Sequence, residues 1–111
     1  MECCGVVARG RFYVLGNLSG NSHEFLMDPV QLYAVMKKSG WDVDVIVHSH
    51  EESCNPSPVD LYSMRIWRKI WVIVGRNCVR ALIPLSLGVV EVDLNSLFPE
   101  EVYHSIMEGC K

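Results

Sequence analysis

The chain has 111 residues, half of them hydrophobic, and a formal charge of −3, which is enough for one domain, residues 1–111, with a core of its own. The acidic balance speaks against nucleic acid as the main partner. The longest apolar stretches, residues 70–74 and 81–87, are interrupted by Gly, Pro or charge well short of the ~20 residues of a membrane helix, so a soluble protein without a membrane partner is expected.

In chain order, residues 6–8 and 12–15 are β-prone runs around Arg9-Gly10-Arg11 and predict a hairpin, with a polar loop over 16–22. Asp28-Pro29 is a helix start, a capping side chain before a ring whose φ suits the first turn; Val30, Tyr33, Ala34 and Lys37 follow at helical spacing and Gly40 ends the helix. Val43, Val45 and Val47 alternate with Asp42, Asp44 and Ile46, so residues 41–50 read as a strand that leaves the core near its end, with His48 and His50 at its mouth. Ser57-Pro58 starts a second helix. Residues 70–74, 78–85 and 89–94 read as further strands, and 99–107 as a closing helix. The sum is a mixed α/β layered domain.

Cys3, Cys4, Cys54, Cys78 and Cys110 form an odd set without framework spacing, and no secretory leader is read before them, so reduced thiols in the cytoplasm are expected. Half of the ten Lys and Arg residues (Arg65, Arg68, Lys69, Arg76, Arg80) lie in one stretch, read as solvated faces of a helix and two strands.

In His48-Ser49-His50 the two-residue spacing on a strand points both imidazoles to one face. Asp60, three residues after the expected N-cap Ser57, projects from the first helical turn and can close back towards that strand end. Two imidazoles and one carboxylate are the ligand count of a catalytic zinc site, which keeps a fourth position open for water. Such a site also needs a group that moves a proton to the leaving amine. Spacing alone does not choose among Glu2, Glu24, Glu51, Glu52 and Glu91.

The ordered segments Glu2-Cys3-Cys4-Gly5-Val6, His23-Glu24-Phe25-Leu26-Met27-Asp28-Pro29, Val45-Ile46-Val47-His48-Ser49-His50 and Pro56-Ser57-Pro58-Val59-Asp60 resemble the landmarks of JAMM (MPN-core, Mov34/JAB-like) domains of bacterial and phage-tail type. The resemblance runs from Glu2 to about Val74. It implies a mixed β-sheet flanked by helices in cytidine-deaminase-like layering, and a zinc peptidase or isopeptidase. By matching position it assigns zinc to His48, His50 and Asp60, proton transfer to Glu2 and oxyanion support to Ser57. It implies a peptide or ubiquitin-like protein as substrate, deubiquitinase-like activity or processing of phage tail proteins, and membership of a homo-oligomer or larger assembly. The other function that it implies is a non-catalytic MPN-like scaffold that binds partners. Glu51 stands where the family usually has Pro, the loop from His50 to Ser57 is one residue shorter, and the family's opening helix has no counterpart before Glu2, which predicts a loosely held, fraying Glu2.

Plainer readings stand beside these. Asp60 is also a good helix-start acid, and Ser57 a good N-cap in any protein. Cys54, four residues after His50, is a third soft ligand, a nucleophile or simply a loop thiol. Cys3 and Cys4 read as core and strand residues, and Phe25, Tyr33, Trp67 and Trp71 as core aromatics.

Overall fold

Two-residue hairpin turns of type I′ require positive φ at both central positions, and Arg9 (φ 51°) and Gly10 (φ 75°) meet that demand. They join β1 (Cys4–Ala8) to β2 (Arg11–Leu15), paired antiparallel from Ala8↔Arg11 to Cys4↔Leu15. The computed structural model describes residues 2–19 and 25–110. Beyond the hairpin it contains α1 (Pro29–Lys38), β3 (Val43–Ser49), α2 (Pro58–Ile66), β4 (Ile70–Val74), β5 (Val79–Leu85), β6 (Gly88–Val92), α3 (Leu94–Leu97) and α4 (Glu100–Cys110). The six strands form one mixed sheet in the order β2-β1-β3-β4-β5-β6. Only β3 and β4 pair in parallel, through the crossover that carries α2; the other neighbours are antiparallel.

The helix starts follow from their caps. Asp28 accepts hydrogen bonds from the N–H groups of Val30 and Gln31 ahead of α1, and Ser57 and Asp60 form a reciprocal capping box at the start of α2. The expected strand over 89–94 stops at Val92, because the Asp93 carboxylate accepts from the Asn95 N–H and turns the chain into α3.

Both faces of the sheet are covered. Val45, Val47, Val72, Val74 and Ala81 pack against Val102, Ile106 and Cys110 of α4 on one side; Ile46, Trp71, Ile73 and Leu82 pack with Met64 of α2 on the other. The exit expected for the third strand comes later than read, at the half-buried Ser49 and His50, and His48 is inside. β3 is central, between β1 and β4, and His48 has 0% of its surface exposed. The aromatic reading is also corrected in part. Trp71 lies in the core and Phe25 is half-buried, but Tyr33 and Trp67 are exposed, because α1 buries no residue fully and α2 ends at Ile66.

The largest correction concerns the thiols. Cys3 is bonded to Cys110 and Cys54 to Cys78, with Cα–Cα separations of 5.3 and 5.9 Å, which leaves Cys4 as the free cysteine. Sequence spacing hides these pairs because the sheet and α4 bring partners together from distant parts of the chain. No helix among the described residues is long and apolar enough to cross a membrane.

Candidate metal centre

The site lies at the carboxyl end of β3, where the chain turns into the β3–α2 crossover, the position at which open α/β sheets commonly hold ligands. Strand alternation sends His48 and His50 to the same face, and their Nε2 atoms stand 3.1 Å apart. Asp60 closes the third side from the first turn of α2: its Oδ1 is 3.0 Å from His48 Nε2 and its Oδ2 is 2.9 Å from His50 Nε2. The same carboxylate accepts from the Ser57 N–H at 2.8 Å, while the Asp60 N–H donates to Ser57 Oγ at 3.1 Å. One side chain thus caps the helix and faces both imidazoles. The Ser57 hydroxyl accepts in that exchange and keeps its proton to donate elsewhere.

Glu2 comes from the other neighbouring strand. Cys4 pairs opposite His48 in the β1–β3 register, and the Ser49 N–H donates to the Cys3 carbonyl at 2.9 Å. Continuing that register sets Glu2 across from His50, on the same face. Its carboxylate and the two imidazoles lie within 4.8 Å of one another, so either Glu2 or Asp60 can complete a three-group set with the histidines; Asp60 is the one that touches both rings. The fraying expected of Glu2 is overturned. The residue is 6% exposed, its carbonyl accepts from Asn17 Nδ2 at 2.8 Å, the next N–H donates to Ser49 Oγ at 2.8 Å, and Cys3 is tied to α4 through Cys110. Cys54 is neither a thiolate ligand nor a nucleophile, because its sulfur is bonded to Cys78.

The surroundings set the protonation. Burial lowers the pKa of His48, against the hydrogen bond and charge of Asp60. Burial alone would raise Asp60, but the hydrogen bond and charge of His48, the Ser57 N–H and the charge of His50 outweigh it and hold the carboxyl at about 2. Burial, with the charge of Glu2 adding to it, pushes the Cys4 thiol up to about 11, which keeps it neutral.

Among the described residues, His48 Nδ1 is buried without a hydrogen-bond partner. A neutral imidazole carries one N–H. With the proton on Nε2, as the hydrogen bond to Asp60 requires, Nδ1 is a bare buried acceptor; with the proton on Nδ1, that N–H is a buried donor without a partner and the Nε2 lone pair faces the Asp60 carboxylate and the second imidazole, so Nδ1 is unsatisfied in either tautomer and only the Nε2 side bears on a metal. The second arrangement gathers two nitrogen lone pairs and an anionic oxygen around one point, and a divalent cation satisfies all three. The donor set, two imidazoles and a carboxylate, fits zinc.

Sequence reasoning missed the residues that hold this set. Phe25 stacks on the His48 ring at 4.5 Å, and Trp71 meets it edge-on at 5.7 Å. Asn17 joins the Glu2 carbonyl to the segment ahead of α1, its Oδ1 accepting from the N–H groups of Ser19 and Leu26. Ser49 was readable, since a residue between two same-face ligands must point to the opposite face; Trp71 and Asn17 depend on long-range register and were not. His23 and Glu24, part of the segment that carried the resemblance, lie outside the described residues.

No family model and no curated protein matches the sequence. Among solved structures, that of protein DSY2949 from Desulfitobacterium hafniense, determined in solution, is similar, with a TM-score of 0.67 at 28% identity over 95% of this chain and 83% of that one. The likeness runs through nearly the whole chain and supports a mixed α/β domain.

Proposed function

We propose that the protein is a zinc-dependent hydrolase of the JAMM/MPN type that cleaves a peptide or isopeptide bond. The observation that carries the reading is the meeting of His48, His50 and Asp60 at one point, with Glu2 within reach on the adjoining strand. His48, His50 and Asp60 would hold the metal, the ligand number of a catalytic zinc site. Zinc bound there would supply Lewis acidity for the water and the carbonyl. Glu2 takes the proton of the attacking water and passes it to the leaving amine. The Ser57 hydroxyl donates to the carbonyl oxygen as negative charge grows on it. Burial of Glu2 and His48 keeps bulk water away from the proton path.

Elemental analysis of protein purified without chelator tests the reading. About one zinc per chain is expected in the parent, as three-ligand catalytic sites hold it, and little in His48→Ala or Asp60→Ala. A peptide-cleavage screen then uses Glu2→Gln, which should keep zinc and lose roughly 10²–10⁴-fold in rate. Metal-free but folded parent protein would sink the hydrolase reading.

A second reading, a non-catalytic scaffold of the same fold in an assembly such as a phage tail, has its own observation. An apolar groove of about 350 Å³ opens beside Asp60, walled by Phe25, Leu26, Leu32, Ile66, Trp67 and Trp71. Such a surface suits a peptide or protein partner whether or not a bond is cut. Full activity in a monomer would argue against the scaffold.

A further inference from the structure

We propose that the two disulfides are separate positioning devices for the metal centre, Cys3–Cys110 fixing Glu2 and Cys54–Cys78 fixing the loop between His50 and Ser57, so that a reducing environment uncouples the site. The inference rests on the hydrolase reading for its consequence, but its structural claim stands apart. Cys3 is the residue after Glu2, half-buried and bonded to the last turn of α4 on the opposite face of the sheet. The peptide that joins it to Glu2 is held at both of its polar atoms, the Glu2 carbonyl accepting from Asn17 and the Cys3 N–H donating to Ser49, so the bond adds a third point of attachment to the backbone that carries the Glu2 carboxylate.

The second bond works on the other half of the site. The residue 50–57 segment connects one imidazole ligand to the capping box of the carboxylate ligand. Cys54 straps it to the β4–β5 turn, where the Arg76 N–H also donates to the Glu52 carbonyl at 2.9 Å and the His50 N–H to Val74 at 2.8 Å. Gly75 is tight under this strap: a Cβ there would come within 2.8 Å of both the Cys54 nitrogen and the Cys78 sulfur. Cys78 is exposed, which gives a reductant access. A dithiol such as dithiothreitol breaks each S–S bond with two electrons and two protons, leaving two cysteine thiols and closing itself into a cyclic disulfide.

The experiment compares the full chain before and after dithiothreitol, and after re-oxidation, with Cys3→Ser, Cys110→Ser, Cys54→Ser and Cys78→Ser. Alkylation and mass spectrometry count thiols, amide hydrogen exchange reads each segment, and competition with a chromophoric chelator gives the zinc affinity. The unreduced parent should expose one alkylatable thiol after denaturation, Cys4. Breaking the first bond should raise exchange over residues 2–5 about tenfold and leave zinc affinity within about twofold, because in the hydrolase reading Asp60 holds the metal with the histidines and Glu2 only moves a proton. On a cleavable peptide it should lower kcat with KM unchanged. Breaking the second should raise exchange over residues 51–56 and weaken zinc about tenfold or more, the usual scale for losing a ligand's support. Re-oxidation should restore both. Five free thiols in the unreduced protein, unchanged exchange in the two segments, or a rise spread evenly over the central strands would overturn the proposal. A parent with both bonds and both local effects that cleaves nothing would overturn the hydrolase reading instead and leave the positioning claim standing.

Discussion

Ser57 serves two purposes whose energies can be told apart by choosing the replacement. As N-cap it accepts from the Asp60 N–H, and Ser→Ala at such a position costs about 1 kcal/mol, whereas Gly costs only a few tenths. As a donor to a developing oxyanion it is worth roughly 10²–10³ in kcat. Ser57→Gly should therefore unfold at nearly the parental urea midpoint while losing about 10²-fold in rate, a pair of values that cap loss alone cannot produce. Retained rate in a folded Ser57→Gly would remove the hydroxyl from the chemistry. His48 makes the protein acid-sensitive by a defined route. Burial lowers its pKa, so below the unfolded value of about 6.5 the unfolded chain binds a proton that the folded chain does not. Its contribution is complete above about pH 6.5 and is lost as the pH falls, by at most about 1.4 kcal/mol per unit. Asp60, held at about 2, acts in the same direction lower down, its contribution present above the ordinary carboxyl range and lost as the pH falls towards 2. Urea unfolding of chelator-treated protein between pH 7 and pH 5 should show declining stability in the parent and a flatter profile in His48→Gln; a flat parental profile would contradict the buried neutral imidazole.

At the level of elements, β1 carries the tightest local constraint. Gly5 pairs opposite Val14, and a Cβ there would stand 2.4 Å from the Tyr13 carbonyl oxygen and 2.7 Å from a ring carbon of Phe12. Backbone cannot yield cheaply in a central strand, so Gly5→Ala should destabilise by about 2–3 kcal/mol, the upper range of overpacking costs. Thermal unfolding should fall by at least about 8 °C on that figure; a shift within error would show that β1 and β2 can spread. The elements themselves were largely legible, because their signals are local. Asp28-Pro29 and Ser57-Pro58 announce helix starts through the same atoms that form the caps, and the Arg9-Gly10 turn and the alternation before His48 need only neighbouring residues. The misreadings arose where distant chain decided the outcome. Asp93 looks like the end of a strand until its carboxylate caps α3, and His48 looks like a strand-mouth residue until β1 and β4 flank it. The convergence of His48, His50 and Asp60 followed from period-two geometry and a helix cap, whereas the grip on Glu2 came from Asn17, Ser49 and Cys110, whose parts are unremarkable along the chain.

For the molecule as a whole, the two crosslinks differ in the amount of chain that they close. Cys3–Cys110 spans 107 residues and ties the first strand's approach to the last helical turn, while Cys54–Cys78 spans 24. In the chain-entropy picture a loop of the first length removes about 5 kcal/mol of unfolded-state freedom and one of the second about 3.5 kcal/mol. Measured values usually fall below such figures, but the ordering depends only on loop length. The core can sustain a folded reduced state: both faces of the sheet are packed, and Trp71, Met64, Ile73 and Ile106 are wholly or almost wholly buried in clusters to which Cys54 and Cys110 each add one side chain among several. Reduction should therefore lower the unfolding midpoint in urea without abolishing the cooperative transition, and Cys110→Ser should lower it more than Cys78→Ser. The m-value should rise in both, because an uncrosslinked chain exposes more surface on unfolding. Equal losses from the two variants would mean that native contacts around the bonds, and not closure of the chain, set their contribution.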